Sequence, residues 1–267
     1  MVVHIDPTIL EFYRQGNEDE RLSSPLRHSG PLEFARTQEL ILRDLPEGAQ
    51  RILDVGGGPG AYSQWLMGLG HDVTLIDPVD LHIAQATAKG VPAELGDARA
   101  LATDAASVDV VLLLGPLYHL RERADRLQAW AEARRVLREG GLVFAGAISR
   151  FAAFLDLVVR LDRLEEESVF LTVQESLASG HFGDGSNGLF TTSYLHRPVE
   201  FRAEAEKTGF KAVEMFNIEG PGFLVGDFAQ RWADPSRREA LLAAARMIER
   251  DEDMFAAASH LFVVGRK

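Results

Sequence analysis

The sequence predicts an α/β fold built on a doubly wound parallel sheet. Three observations carry this. Short apolar runs alternate with amphipathic stretches from Arg51 to Ile148, the rhythm of strands joined by crossover helices. One run, "DVVLLL" at Asp109–Leu114, is apolar throughout, as a strand buried on both faces must be. Another, "LDVGGGPG" at Leu53–Gly60, runs from strand into a glycine loop that opens a helix, and lets backbone N–H groups approach a ligand.

In chain order, residues 8–22 read as a helix with Ile9, Leu10, Phe12 and Tyr13 on its apolar side and a charged tail. "SSPLRHSG" is a loop. Pro31 starts a second helix to about Leu45, stopped by Pro46-Glu-Gly. The alternating units follow: strand Arg51–Val55, helix Ala61–Leu69, strand Asp72–Ile76, helix Leu81–Lys89, short strand Ala93–Leu95, strand Asp109–Leu114, helix Arg121–Arg138 closed by "EGG", and strand Leu142–Ile148. After Ser149 the rhythm breaks. Residues 151–170 carry Phe151, Phe154, Leu155, Val158, Leu161 and Leu164 at helical spacing. Residues 179–198 form a long loop rich in Gly, Ser, Thr and aromatics, and such loops inside a compact domain are usually functional or mobile. A helix at Val199–Thr208, strands at Lys211–Glu219 and His260–Arg266, and a mostly helical stretch between them complete the chain. We expect one domain: a helical cap over 1–45, a ligand-binding core over 46–150, a lid over 151–198, and a C-terminal part of the sheet over 199–267 with a helical insertion at 221–258.

Composition narrows the class. The 267 residues are 46% hydrophobic and 25% charged, carry a formal charge of −12 and contain no cysteine. Disulfides, thiolate metal sites and cysteine nucleophiles are excluded. The acidic balance disfavours a nucleic-acid partner, which calls for a basic patch. No apolar run reaches the ~20 residues of a membrane span, and the first residues lack the pattern of a signal peptide. The expectation is a cytoplasmic protein with no membrane partner, monomer or homodimer. The eight histidines are scattered without ligand spacing, so no metal is expected.

The glycine loop reads literally as the dinucleotide fingerprint, Gly56-x-Gly58-x-x-Ala61. Acids at strand ends argue for a different ligand. Asp54, two residues before Gly56, would repel a pyrophosphate and suits an ammonium group. Asp77 ends the next strand in "LIDP", where an acid can bond ribose hydroxyls. Asp97 ends a third strand in "LGDAR" and can accept from an adenine amine. Together these describe an amino-acid head, a ribose and an adenine.

"LDVGGGPG", "LIDP", "GDAR", "VDVVLLLGPLYHL" and "RRVLREGGLVFAGAI" occur in this order between Arg51 and Ile148. The constellation resembles the class I S-adenosylmethionine-dependent methyltransferases, in particular their type 11 branch. The resemblance implies a Rossmann-like seven-stranded sheet, with His260–Arg266 antiparallel between Lys211–Glu219 and the fifth strand. It implies that S-adenosylmethionine is the cofactor and S-adenosylhomocysteine the product. Gly56, Gly57 and Gly58 would approach the methionine part, Asp54 its ammonium, Asp77 the ribose and Asp97 the adenine. Ala98 would offer its N–H to the ring, and Leu114 and Gly115 would flank the sulfonium. Pro59 and Pro78 depart from the family pattern, each removing a backbone donor. The resemblance extends to the flanks, where an N-terminal helix would cover the cofactor: Tyr13 would contact it, and Arg21 or Arg36 would pair with its carboxylate.

Methyl transfer requires an acceptor held in line and water excluded. A base is needed only when the acceptor must lose a proton. Two groups of residues are placed to serve it. Tyr118 and His119 in "GPLYHL" follow the fourth strand, with His119 as a general base or a packing residue. In the lid, His181, Thr191, Thr192, Tyr194, His196 and Arg197 would meet substrate, Arg197 suggesting an anionic group. The expected function is methyl transfer to O or N of a small molecule. An NAD(P)-dependent oxidoreductase, a macromolecule methyltransferase and a non-catalytic cofactor-binding module are the alternatives.

Overall fold

The computed structural model describes residues 5–16, 18–183 and 189–267. Residues 184–188, inside the expected lid, and residues 1–4 and 17 of the expected cap lie outside the described residues.

Seven strands form one sheet: β1 Arg51–Val55, β2 Asp72–Asp77, β3 Ala93–Leu95, β4 Val108–Leu113, β5 Leu137–Ile148, β8 Lys211–Asn217 and β9 His260–Arg266. Their order is β3-β2-β1-β4-β5-β9-β8. The first five run parallel, and β9 pairs antiparallel with both β5 and β8, as the resemblance implies. A separate two-stranded ribbon joins β6 His181–Phe182 to β7 Ser193–Tyr194.

The period-two alternation of a strand sends successive side chains to opposite faces, and here both faces are apolar. Leu53, Val111, Leu113, Val143 and Val263 pack on Trp130 and Ala133 of α5 (Arg123–Val136) and Phe201 of α7 (Pro198–Lys207). Ile52, Val110, Leu112, Phe144 and Phe262 pack on Leu40 and Ile41 of α2 (Gly30–Asp44) and Leu66 of α3 (Ala61–Gly68). Helix α4 (Asp80–Ala88) completes the β2–β3 crossover. The C-terminal insertion contains α8 (Phe228–Ala233) and α9 (Pro235–Ile248).

Three elements differ from the sequence expectation. The first helix, α1, spans only Pro7–Arg14, capped by the Asp6 side chain, and Gly16 at φ +75° turns the chain away from it. The charged tail therefore forms turns, which bring Glu18 and Arg21 to the cleft. The single helix expected over 151–170 is a π-helical stretch, Phe154–Arg160, broken at Asp162 with φ +52° and followed by α6, Glu167–Ser179. Leu161 and Leu164 remain 41% and 45% exposed, so the apolar periodicity there does not mark one buried face. Finally, β5 begins at Leu137, directly after α5, and the "EGG" turn is absorbed into it with a register shift opposite Val108 and Val110.

Among the described residues no helix is long and apolar enough to cross a membrane.

Candidate functional site

The C-terminal ends of β1, β2, β3 and β4 open into a cleft, the usual ligand position in such sheets. Its floor is the glycine loop. A Cβ on Gly57 would sit 2.6 Å from Asp54 Oδ2, and one on Gly115 would sit 2.5 Å from the Gly56 carbonyl oxygen. Only glycine lets the β1 and β4 loops approach this closely. A Cβ on Gly58 would only touch Glu18 Cγ at 3.9 Å and His82 Nδ1 at 4.0 Å, but its φ of +56° favours glycine.

Asp77 ties the loop to β2. Its Oδ2 accepts the Gly58 N–H at 2.9 Å, and its Oδ1 accepts the Val79 N–H at 2.9 Å and His82 Nδ1–H at 3.0 Å. A carboxylate offers about four acceptor positions, so room remains on Oδ2. Asp97 Oδ1 accepts from the Arg99 backbone at 2.8 Å, and Oδ2 from Arg99 Nη2 at 2.8 Å; Arg99 also reaches Asp125 at 2.7 Å. Both acids, with Pro78, Ala98 and Gly96, line a cavity of about 250 Å³.

The outer wall of this cavity is aromatic. Tyr13 of α1 lies 2.8 Å from His119 Nε2 through its hydroxyl and meets the His82 ring edge-on at 5.0 Å. Burial, opposed by the Thr192 backbone, pushes His119 down to about 4. The ring is neutral near pH 7, bonded at Nε2 and a weak base. Tyr118 follows the same turn, and burial raises its hydroxyl pKa.

A second, smaller cavity of about 110 Å³ continues past the loop and shares Glu18, Gly56, Gly58, Gly115 and Tyr118 with the first. Gly57, Asp54 and Leu114 line it. Asp54 is 1% exposed and accepts the Ser63 hydroxyl at 2.7 Å; burial pushes it up to about 6. Arg21 binds Glu33 through both terminal nitrogens, at 2.6 and 3.2 Å, and Glu18 through Nε at 2.6 Å. His260 completes the wall, its Nδ1 3.0 Å from Glu219 Oε1.

The structure does not bring every expected residue here. Arg36 is fully buried elsewhere, bonded to Glu39, Glu249 and the Ile218 carbonyl; it braces α2 against the end of α9, and Arg21 alone of the two reaches the cleft. The expected substrate residues of the lid line neither cavity. His181 Nδ1 accepts from Arg121 Nε at 3.1 Å. Thr191 is buried. The Tyr194 ring carries the Arg126 guanidinium 3.7 Å above it, and its hydroxyl accepts from Arg150 Nη2 at 3.1 Å. His196 is fully buried, 3.4 Å from Glu204. Arg197 caps the start of α7 and faces the Phe151 ring. Polar and aromatic residues gathered in a loop are here an internal support of that loop.

The lid touches the residues around the cleft through Phe190, which the sequence did not single out, and through Thr192, which it did. Phe190 packs on Phe12 and His119, at 5.3 and 5.8 Å between rings, and Thr192 Oγ1 bonds Asp6 at 3.1 Å. Sequence reading also passed over Glu18, Glu33, His82, Glu219 and His260. His82 is signalled by its place five residues after Asp77, one helical turn into α4. Glu33 and His260 are 227 residues apart in the chain, and no local pattern joins them.

Comparison with known proteins agrees with this geometry. Residues 53–145 match the family model described as "Methyltransferase domain", which covers the glycine loop, all three strand-end acids and β4. Over that stretch the chain resembles the type 11 branch of the class I S-adenosylmethionine-dependent methyltransferases. Uncharacterized methyltransferases of Mycobacterium bovis and Mycobacterium tuberculosis are 36% identical over 99 residues, 36% of this chain and 39% of each relative. The matched stretch is thus well under half the length of those relatives. A solved S-adenosylmethionine-dependent methyltransferase of Thermotoga maritima, described as a possible histamine N-methyltransferase, superposes with a TM-score of 0.59 at 15% identity over 97% of this chain and 98% of that one. A Haemonchus contortus phosphoethanolamine N-methyltransferase, solved with phosphomonomethylethanolamine and S-adenosylhomocysteine, gives 0.58 at 18% identity over 100% of this chain and 60% of that one.

S-adenosylmethionine is the cofactor of this class, and the residues present fit it. The floor admits no Cβ at Gly57 or Gly115, the cavity beside it is lined by Gly56 and Gly58, and acceptors stand at the ends of β2 and β3.

Proposed function

We propose that this protein is an enzyme that transfers a methyl group from S-adenosylmethionine to O or N of a small-molecule acceptor. The observation that carries the reading is the continuity of two cavities across Gly56, Gly58, Gly115 and Tyr118. One has the acids for an adenosine, and the other, lined by Arg21, Asp54 and Gly57, has the charged groups for its methionine part and borders the acceptor side at His260.

In this reading Asp97 accepts the adenine amine while Arg99 holds it, and Ala98 offers its N–H to the ring. Asp77 takes a ribose hydroxyl on Oδ2. Gly56, Gly57 and Gly58 bear the methionine part, Arg21 pairs with its carboxylate, and Asp54 faces its ammonium beneath the loop. Leu114 and Gly115 border the reacting end. The cofactor supplies a methyl already activated by its sulfonium. The chain aligns the acceptor with it and excludes water, and Tyr13, Tyr118, His119 and Phe190 close the outer side. Rate enhancement then rests on orientation, with no obligatory base.

Calorimetric titration with S-adenosylhomocysteine, with NADH in parallel, tests the reading. Micromolar binding of the first and none of the second is expected. The reverse result overturns it in favour of hydride transfer.

A further inference from the structure

The smaller cavity contains a histidine that the cofactor does not need. His260 opens β9, the antiparallel strand between β5 and β8. Glu219 Oε1 accepts its backbone N–H at 3.0 Å and its Nδ1–H at 3.0 Å. Two bonds to one carboxylate oxygen fix both the tilt of the ring and its protonated nitrogen, because an ionised carboxylate can only accept. Nε2 has no hydrogen-bond partner among the described residues. The ring lines the cavity together with Leu114 and Gly115 after β4, Gly146 and Ala147 of β5, and Ile218.

We infer that His260, oriented by Glu219, binds the methyl acceptor through Nε2–H, and that the acceptor is an oxygen acid: a phenol or a carboxylic acid. This rests on the methyl-transfer reading above and names the substrate class of that site.

The surroundings give the ring its sign. Glu219 and Glu33, whose Oε2 lies 3.8 Å from Nδ1, outweigh burial and the Arg21 charge and raise His260 to about 9. Glu219 Oε2 is buried without a partner among the described residues, which leaves its charge to the ring. An imidazolium has two donors and no acceptor. Its free donor matches an oxygen anion, and the ring offers an amine no acceptor. Arg21, the other cation of this wall, bonds Glu18 and Glu33 and in the reading above serves the cofactor's carboxylate. A carboxylic acid arrives ionised, and a phenol gives its proton to solvent on binding. The oxygen's lone pair then forms the new C–O bond as the C–S pair leaves with sulfur, and no proton remains to be placed.

The test uses protein saturated with S-adenosylhomocysteine, titrated with benzoate, 4-nitrophenol and benzylamine. Both acids should bind and the amine should not. Bound 4-nitrophenol should show the phenolate band at a pH where the free compound is mostly neutral. His260→Gln should abolish that band and weaken both acids about tenfold or more, the weight of a hydrogen bond to a charged group. S-adenosylhomocysteine affinity should survive in the variant, which verifies its fold. Glu219→Gln keeps an acceptor for Nδ1 but removes the charge, and should give an intermediate loss; it carries the test if His260→Gln does not fold. Tighter binding of benzylamine, binding of neither acid, or acids unaffected by both variants would overturn the inference alone. Failure of the wild-type protein to bind S-adenosylhomocysteine would overturn the methyl-transfer reading beneath it.

Discussion

His119 lines the larger cavity and His260 the smaller one beside it, and the protein treats them in opposite ways. Both are half-buried. His119 sits among Tyr13, Tyr118, His82 and Phe190, where no carboxylate bonds to it, and burial pushes it down to about 4. His260 sits against Glu219 and Glu33 and rises to about 9. The comparison separates two causes that burial alone confuses. Desolvation makes a histidine neutral, and a carboxylate held in place reverses the outcome. The aromatic wall is built to enclose, and the charged wall to discriminate.

A third histidine tests this rule with the largest expected effect. His196 is 3.4 Å from Glu204, yet its pKa is lowered, burial outweighing the carboxylate. The difference is Arg126, whose Nη2 lies 2.9 Å from Glu204 and takes up its charge. Arg126→Met leaves Glu204 buried without its main partner. The loss of stability in denaturant unfolding should be about 3–5 kcal/mol at pH 8, and smaller at pH 5.5, where His196 can protonate and replace the arginine. A loss equal at both pH values would break the comparison, because it would mean that carboxylate proximity does not govern these rings.

The next effect concerns the cofactor. Asp77→Ala removes the acceptor for Gly58 N–H, Val79 N–H and His82, and with it the expected ribose partner. Affinity for S-adenosylhomocysteine should fall at least about tenfold, since hydrogen bonds to charged groups contribute that much. Arg36→Lys serves as the contrast. Its side chain lines neither cavity, so it should alter thermal stability and leave S-adenosylhomocysteine affinity within about twofold, as distant sites act independently.

The two walls also predict two limbs of a stability–pH curve. His260 has a folded pKa above its unfolded 6.5, so its contribution is complete below about 6.5 and disappears as pH rises through about 9. His119 has a folded pKa below 6.5, so its contribution is complete above 6.5 and disappears as pH falls through about 4. Urea unfolding across this range should show the alkaline limb flattened in His260→Gln and the acid limb flattened in His119→Gln. A variant that flattens the wrong limb reverses the assignment of its wall.

The uneven legibility of the sequence has the same physical root. The core could be read because its signals are local. "LDVGGGPG" places a loop between a strand and a helix, and "LIDP" and "GDAR" place an acid at a strand end, each within a few residues. The acceptor side could not be read in this way. Arg21 reaches the cleft because α1 stops at Arg14 and the chain turns at Gly16, and His260 meets Glu33 only through the pairing of β9 and the packing of α2. The lid misled for a related reason. Tyr194 and His196 have the composition of a ligand-binding loop, but Arg126 and Arg150, distant in sequence, pack on the Tyr194 ring, and Glu204, on the following helix, stands beside His196. Chemical type is visible in sequence, and the partner that decides whether a group is free is not.

The smallest effect probes the aromatic wall itself. Tyr13→Phe keeps the ring, and so keeps its edge contacts with His82 and His119 at 5.0 and 5.3 Å. It removes only the hydroxyl that bonds His119 Nε2. If the wall encloses through shape, stability should fall by about 1 kcal/mol, the net weight of one neutral hydrogen bond, and methyl-transfer rate should change little. If the hydroxyl instead holds His119 in a catalytic orientation, the rate should fall far more than the stability does. Tyr13→Ala separates the two further, because it opens the wall to water whatever His119 does. A large rate loss in Tyr13→Ala with near-normal rates in Tyr13→Phe assigns the wall to water exclusion. Equal large losses in both would transfer catalytic weight from the charged wall to His119.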